Sequence, residues 1–318
     1  MGYFRLALTG RVARRQWRYF STSRRLMRDP QLEEYDRMFQ NEFGSLKDKY
    51  DAPKHPIVLA HGLLGFDELR LAGSFLPGIQ YWRGIVNALR LQNIEVITTE
   101  VPSSGSIEAR AEKLAMRIAE KAGGKSVNII AGLDSRYMIS NLKPENVKVL
   151  SLTTIATPHR GSSFADYLHE QLGPIHFKRL SRVLGQVGME SGAFSQLTQK
   201  YLIEEFNPKT PDRDDVRYFS YGASLEPTVW SVFWYSHRII KQREQAMNDG
   251  LVSVPSSRWG KYQGTLTGVS HLDLINWTSR VKVLFWLLTG VKRSFNAHAL
   301  YLEIAGTIMP YTLRLVTH

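Results

Sequence analysis

Short apolar runs alternate with amphipathic segments along this chain, and this alternation constrains its fold most. Each run is bounded by turn-forming residues, as buried strands are, whereas the segments between runs repeat apolar residues at helical spacing. The pattern predicts an α/β fold, in which a mainly parallel central sheet has helices on both faces. The predicted strands are Pro56–Ala60, Ile94–Val101, Val127–Ala131, Val147–Thr157 and Val216–Ala223, with helices at Tyr81–Leu91 and Ile107–Lys121.

Composition favours one large domain, and the lack of cysteine limits the kinds of cross-link and metal site that the chain can form. The chain has 318 residues with 43% hydrophobic content, which is enough to build a sizeable core. It contains no cysteine, so neither a disulfide framework nor a thiolate metal site is available. The formal charge of +12 is concentrated near the start of the chain and is accompanied by no nucleic-acid-binding motif. We therefore expect no nucleic-acid partner.

The first 28 residues carry eight arginines and no acidic residue, together with serine, threonine and aromatic side chains. This composition is typical of a mitochondrial transit peptide, which forms a basic amphipathic helix. Arg18 precedes Ser21 by three residues, a spacing that resembles matrix cleavage sites. We predict a transit peptide over residues 1–20 and a mature protein in the matrix or at the inner membrane. A disordered basic tail or a surface anchor is the alternative.

The rest of the chain is predicted to consist of a main domain with short flanking segments. Residues 21–55 form an N-terminal extension, in which Pro30–Tyr50 packs as a short helix outside the sheet. Residues 56–296 form the domain and 297–318 a C-terminal tail. Residues 162–215 break the alternation and predict two helices, which could form a lid over the carboxyl edge of the sheet or an ordinary packed insertion. The longest apolar runs, such as Val283–Leu288, are far shorter than the roughly 18 residues that span a bilayer.

A glycine-rich loop, His61–Gly65, follows the first predicted strand with the sequence H-G-L-L-G. Glycines directly after a strand let the backbone turn tightly and expose its N–H groups. In acyl transfer such N–H groups stabilise the developing oxyanion, and here Leu63 would supply one. An ordinary tight turn is the alternative interpretation.

Two later loops carry an acid and a base in an order that suits catalysis. Asp249 lies in N-D-G-L-V-S, and His271 follows in G-V-S-H-L-D. A catalytic triad needs a histidine that takes the nucleophile's proton and a carboxylate that fixes its tautomer. We expect the two side chains to lie within about 2.6–3.2 Å of each other, at the carboxyl end of Val127–Ala131 and near Leu63. A turn-forming aspartate and an unrelated surface histidine are the alternative.

These loops resemble those of the bacterial and fungal triacylglycerol lipases of the α/β-hydrolase fold. The segment Thr153–Asp166, with the sequence T-T-I-A-T-P-H-R-G-S-S-F-A-D, shares this resemblance. The resemblance extends from about Pro56 to Asn296 and, with the N-terminus, is nearest to the fungal mitochondrial members. It implies that Asp249 and His271 are the triad acid and base, that Leu63 donates to the oxyanion, and that no cofactor is required. It also implies a lipid ester substrate such as an acylglycerol, with contact to a membrane or lipid surface. Some bacterial relatives bind calcium through the position of Asp273.

The catalytic serine of this family is missing. The family carries it on a G-x-S-x-G turn between strand and helix, whereas Ala131 passes directly to Gly132-Leu133-Asp134-Ser135, so about four residues are absent. Aligned from the strand, Leu133 takes the nucleophile's place; aligned from the helix, Ile129 does. Ser135 lacks flanking glycines and falls within the predicted helix.

Loss of these residues affects the chemistry more than the fold. Four residues correspond to about 400° of rotation around an α-helix, which is one full turn plus about 40°. If the helix shifts by these four residues, its apolar face is therefore displaced by only about 40°. Removing a hydrolase nucleophile costs on the order of 10⁶ in turnover. The sequence thus predicts an ester hydrolase of triacylglycerol lipase type that is inactive as written. A non-catalytic lipid- or partner-binding relative, and a phospholipase or acyltransferase on the same fold, are the alternatives.

The transit peptide leads to a direct prediction. N-terminal sequencing of the protein from purified mitochondria should find Ser21, or a residue next to it, as the first residue. An intact Met1 or Gly2 start in that fraction would contradict cleavage.

Overall fold

The computed structural model describes residues 38–39, 42–43, 46–47, 50–62, 68–69, 79–80, 82, 84–99, 105–171, 195–276 and 295–308. Several predicted features lie outside these residues: the transit peptide, Leu63, the first lid helix and the apolar run Val283–Leu288.

The described strands are β1 (Met38–Phe39), β2 (Ile57–Ala60), β3 (Glu68–Leu69), β4 (Ile79–Gln80), β5 (Val96–Thr99), β6 (Val127–Ala131), β7 (Val149–Ile155), β8 (Arg217–Ser224) and β9 (Lys261–Thr267). Seven of them form a parallel central sheet, in the order β1-β9-β8-β7-β6-β2-β5. A separate antiparallel pair consists of β3 and β4. All five predicted strands are present, with Val127–Ala131 at its predicted bounds and the others shifted at their ends.

Strand β1 corrects the prediction of a helix over Pro30–Tyr50. Met38 and Phe39 instead pair with β9 at the edge of the sheet. Phe39 is buried against Phe43 and Tyr221, with ring centroids 5.1 and 6.2 Å apart, and its carbonyl accepts a hydrogen bond from the hydroxyl of Thr267. Burial of this aromatic side chain and pairing with a distant strand therefore decide the local conformation.

Helices cover both faces of the sheet, as predicted. Those in the described residues are α1 (Ile85–Leu91), α2 (Ile107–Ala122), α3 (Leu133–Tyr137, continued by a π turn at Met138–Leu142), α4 (163–171), α5 (a π-helical segment at Tyr201–Phe206 and Asn207–Lys209), α6 (Trp234–Glu244), α7 (Val254–Ser257) and α8 (Ala297–Thr307), with a 3₁₀ turn at Asp273–Ile275. On one face, α2 packs Ala111 and Leu114 against Val127 and Ile129 of β6. On the other face, α1 and α8 pack with Ile130.

Helix α2 begins and ends where its sequence indicates. The hydroxyl of Ser106 accepts a hydrogen bond from the N–H of Ala109 at 3.2 Å, which caps the first turn. Gly123 ends the helix with a φ of 55°, a left-handed conformation that glycine adopts without steric cost. Between them, Ile107, Leu114 and Ile118 are buried at helical spacing.

Helix α8 lies in the stretch that the sequence analysis set apart as a C-terminal tail. Ala297, Leu300 and Ile304 are fully buried in the core, and the ring of Tyr301 meets that of Trp82 edge to face at 5.7 Å. Within the part of the chain that the structure describes, no helix is both long and apolar enough to cross a membrane.

Burial in α2 predicts a difference between two leucines. Leu114 is fully buried, whereas Leu91 at the end of α1 is 82% exposed. We expect Leu114→Ala to lower the free energy of unfolding by about 2–5 kcal/mol through lost packing and a residual cavity. Leu91→Ala should change it by less than about 0.5 kcal/mol. Urea unfolding followed by circular dichroism measures both, and similar losses in the two variants would contradict this packing.

Candidate active site

A cavity of about 330 Å³ opens at the carboxyl edge of the sheet, where β2, β6 and β7 end. Its floor includes Ala60, Ala131 and Ala156, which end or follow these strands. Its walls are mainly apolar and come from α2, α3, α4, the segment before α5 and the loops after β8 and β9. They include Ile107, Leu133, Phe164, Leu197, Leu251 and Leu274. The ends of parallel strands in α/β proteins are where ligand sites form, so this cavity is the candidate site.

Asp249 and His271 meet at the edge of this cavity. Asp249 is fully buried, and one oxygen, Oδ1, accepts hydrogen bonds from the N–H groups of Leu251 and Val252 at 2.9 and 2.8 Å. The other oxygen, Oδ2, lies 2.7 Å from Nδ1 of His271. Because a carboxylate only accepts, Nδ1–H is the donor and Nε2 is the free nitrogen of the neutral ring. The distance lies within the expected range, and the catalytic roles of the two residues remain a prediction.

The environment of His271 makes it a base held in one orientation. Burial lowers the pKa of the imidazole, but the charge of Asp249 and its hydrogen bond raise it more, so the pKa lies above its ordinary value. The His271 side chain lines the cavity and is 33% exposed. Among the described residues, Nε2 has no hydrogen-bond partner. The nitrogen that a nucleophile would contact is therefore open.

The turn between β6 and α3 consists of Gly132 alone. Its φ and ψ are −131° and −141°, and no residue from Val127 to Tyr137 has a positive φ. Gly132, Leu133 and Asp134 all line the cavity. None of them carries a hydroxyl or a thiol.

Ser135 carries the nearest hydroxyl along the chain. It lies within α3, is fully buried, and is absent from the described residues that line the cavity. Its Oγ has no hydrogen-bond partner in the described part of the chain. The hydroxyl therefore points into the protein rather than towards a substrate.

A buried ion pair lies at the cavity, and the sequence analysis did not identify it. Arg110, 1% exposed, donates from Nε and Nη2 to Oδ2 of Asp134 at 2.9 and 2.7 Å. Nη2 also donates to the carbonyl of His61 at 3.1 Å, so one guanidinium joins α2, α3 and the loop after β2. Arg110 lies three residues after Ile107 and four before Leu114, and this spacing places it on the buried face of the helix.

A second buried arginine lies behind the cavity. Arg136 of α3 donates to Asn207 Oδ1 at 2.9 Å and to the carbonyl of Thr210 at 3.2 Å, and its guanidinium lies 3.5 Å from the ring centroid of Trp259. Burial lowers its pKa to about 10. His159 stacks on Trp259, and burial together with the charge of Arg136 holds the pKa of its imidazole well below the ordinary value. His159 belongs to the T-P-H-R-G segment, for which the sequence indicated no role.

Two predicted site residues remain, Leu63 and Asp273. Leu63 is outside the described residues, although Gly62 next to it lines the cavity. Asp273 accepts hydrogen bonds from the N–H and the hydroxyl of Ser270 at 3.0 and 2.7 Å. In the described ranges, no group of three or more His, Cys, Asp or Glu residues is placed to hold a metal ion. The calcium role that the resemblance implies for Asp273 stays a prediction.

The parallel sheet, the cavity at its carboxyl edge and the Asp–His pair on the last two loops define a protein of the α/β-hydrolase class. No family model matches the chain. It is 37% identical to triacylglycerol lipase 2 of Saccharomyces cerevisiae, over 82% of this chain and 93% of that protein. The chain therefore belongs to the triacylglycerol lipase family.

Two further comparisons agree with this assignment. The triacylglycerol lipase of Vibrio cholerae is 27% identical over 81% of this chain and 90% of that protein. The crystal structure of the Staphylococcus hyicus lipase superposes with a TM-score of 0.61, over 86% of this chain and 99% of that chain, at 17% identity. The likeness to the Staphylococcus hyicus lipase supports the fold alone.

The Asp249–His271 contact predicts how the imidazole titrates. In Asp249→Asn the charge that raises the pKa of His271 is gone while burial remains, so the pKa should fall below the ordinary value of about 6.5. Histidine NMR resonances followed through a pH titration measure this, with His271→Ala to assign the signal. Asp215→Asn, which removes an exposed carboxylate bound to Arg213, is the matched control and should leave the pKa unchanged.

The same pair has a consequence for stability. Because the folded-state pKa of His271 is raised, the protonated ring stabilises the fold fully below about pH 6.5, and this contribution is lost as the pH rises through the folded pKa. Asp249→Asn should abolish this pH-dependent contribution to the free energy of unfolding. An unchanged pKa in that variant would show that Asp249 does not govern the imidazole.

Proposed function

We propose that this chain is a carboxylic-ester hydrolase of triacylglycerol lipase type whose catalytic machinery lacks the nucleophile, so that protein of this sequence is inactive or nearly so. One observation carries the proposal. The Asp249–His271 pair borders the cavity, and Gly132, Leu133 and Asp134 occupy the junction of β6 and α3 where a serine is needed.

In this proposal Asp249 fixes the tautomer of His271, and Nε2 is the general base. The apolar cavity accommodates an acyl chain of a lipid ester such as an acylglycerol. The fully buried carboxylate and its two backbone donors support this role for Asp249, because they hold Oδ2 towards the ring. Leu63 would donate one N–H to the oxyanion, and the chemistry requires no cofactor.

Without a serine, His271 has nothing to activate except water. A serine nucleophile divides ester cleavage into acylation and deacylation, and both steps use the same histidine. Removing it costs on the order of 10⁶ in turnover. The residue after a serine on the elbow normally supplies an oxyanion N–H, so the missing residues also remove half of that hole. These two losses account for the inactivity we propose.

We also propose a mitochondrial location, in the matrix or at the inner membrane, with contact to a lipid surface. The arginine-rich and acid-free start of the chain supports the location. The domain would extend over residues 56–296, with residues 162–215 as its lid. Phe164, Leu168 and Leu197 support the lid, because these residues of the insertion line the cavity.

A non-catalytic lipid-binding protein is the second candidate. It is favoured by the mainly apolar cavity of about 330 Å³, which is formed although the nucleophile is absent. Such a cavity is within the size range of small-molecule sites. The two candidates differ in whether the rest of the machinery is still able to work once a serine is present.

Restoring the elbow tests this difference. Purified protein of the present sequence should hydrolyse a soluble short-chain p-nitrophenyl ester near the background rate. Insertion of His-Ser-Met-Gly between Ala131 and Gly132 should raise the rate by several orders of magnitude, up to the order of 10⁶. An inserted His-Ala-Met-Gly of the same length is the matched control and should remain at background.

Two further variants decide between the candidates. His271→Ala in the restored protein should return the rate to background, because the inserted serine then has no base. If the restored protein folds, as judged by circular dichroism, yet shows no hydrolysis, the second candidate is favoured. Robust hydrolysis by the present sequence that is lost in Ser135→Ala would refute the proposal.

A further inference from the structure

Four apolar side chains between β8 and the first turn of α6, that turn included, are exposed, and we call them the 229–235 patch. They are Val229, Trp230, Val232 and Tyr235, with exposed fractions of 66%, 92%, 80% and 53%. Tryptophan is on average a highly buried residue, so one that is 92% exposed among other apolar side chains needs an explanation. Contiguous exposed apolar surface commonly marks a protein or membrane interaction site.

The patch is attached firmly to the loop that carries Asp249. Phe233, in the middle of the patch segment, is buried and packs against Gly250, where an added Cβ would lie only 2.6 Å from the phenylalanine Cβ. Gly250 has a φ of 101° and follows Asp249 directly. Its N–H donates to the side chain of Asn248 at 3.0 Å. The exposed side chains therefore stand on a fixed support beside the candidate site.

Aromatic rings connect the patch with the cavity. Phe164 lines the cavity, and its ring stacks on that of Tyr167 with centroids 6.5 Å apart. The ring of Tyr167 meets that of Tyr235 edge to face at 6.0 Å, and their hydroxyls are hydrogen-bonded. The patch is therefore continuous with the rim of the cavity, on the same side of the molecule.

The polar groups beside the patch suit a lipid head-group region. Arg238 is exposed, stacks over Trp234 at 4.6 Å, and has no ion-pair partner among the described residues. Its neighbours on α6 are neutralised, Lys241 by Glu226 and Arg243 by Glu170. Tryptophan, tyrosine and arginine each combine an apolar body with a polar end, and they are favoured where a lipid surface meets water.

We infer that the 229–235 patch docks this protein on a phospholipid surface. Trp230 and Val232 enter the boundary between head groups and acyl chains, Tyr235 and Arg238 remain at the level of the head groups, and the cavity rim faces the lipid. This inference deepens the proposed contact with lipid and rests on it, because a chain that takes a lipid ester must receive it from such a surface.

Vesicle sedimentation tests the inference without any hydrolysis. Vesicles of pure phosphatidylcholine are suitable, because a surface without net charge does not attract the arginine-rich start of the chain as anionic lipid would. Trp230→Ser combined with Val232→Ser should weaken partitioning to these vesicles by about tenfold or more, since two apolar side chains lose their burial. The matched control is Leu91→Ser combined with Met116→Ser, which changes exposed fractions of 82% and 64% elsewhere and should leave partitioning unchanged.

Fluorescence quenching tests whether Trp230 itself enters the lipid. Phosphatidylcholine brominated on its acyl chains quenches tryptophan fluorescence at short range. It should quench the wild-type protein, whereas Trp230→Phe should still bind but lose most of that quenching. The chain has six other tryptophans. Trp234→Phe removes one of them as the control, and this variant should retain the quenching.

Three outcomes would overturn the inference: equal partitioning of the two double variants, quenching that survives Trp230→Phe, or a dimer in vesicle-free solution that the patch variant dissociates. The last outcome would make the patch a self-association surface. Because binding is measured apart from turnover, a failure here leaves the restored-elbow experiment unaffected. Conversely, an inactive restored protein that still binds vesicles through Trp230 would refute hydrolysis and leave the docking surface in place.

Discussion

The parallel pairing of β6 with β2 and β7 is the constraint on which the rest of the structure depends. Parallel strands direct their carboxyl ends to one edge, so the residues that follow β2, β6 and β7 converge there. The buried side chains of Asn128 and Ser151 hydrogen-bond to each other at 2.8 Å across β6 and β7, which satisfies two polar groups inside the sheet. Both faces of β6 are covered, and the loops at its carboxyl end are left to form the cavity.

Features of the fold and of the site that depend on short stretches of sequence could be predicted. The bounds of β6 were predicted because glycines precede the strand and Gly132 follows it. The order of Asp249 and His271 suggested their contact, because an acid followed by a histidine is the order of a hydrolase triad. Strand β9, which places His271 beside the Asp249 loop, was not predicted. Strand β1 was missed because it depends on a partner more than 200 residues away, where Thr267 binds the carbonyl of Phe39. The role of Arg110 was missed because an arginine on an amphipathic helix is usually solvated, although its spacing placed it on the buried face.

Two buried arginines are accommodated in different ways around α3. Arg110 has a carboxylate, Asp134, as its direct partner, so the pair carries little net charge. Arg136 instead uses carbonyl acceptors and the ring of Trp259, and it remains protonated at neutral pH although burial lowers its pKa to about 10. Its charge disfavours protonation of His159, which stays neutral against the same ring. The candidate base, His271, is thus the histidine whose pKa a carboxylate raises, while His159 is held neutral.

The later residues of α3 are attached to a part of the chain that does not line the cavity. Arg136 is bound to α5 and to Thr210, and the hydroxyl of Ser140 is bound to the carbonyl of Pro211 at 2.7 Å, so the helix is fixed from its far side. None of these contacts involves Gly132, which forms the turn between Ala131 and Leu133. A change in the length of that turn would therefore leave these contacts intact, and its first effect would be on the residues that line the cavity.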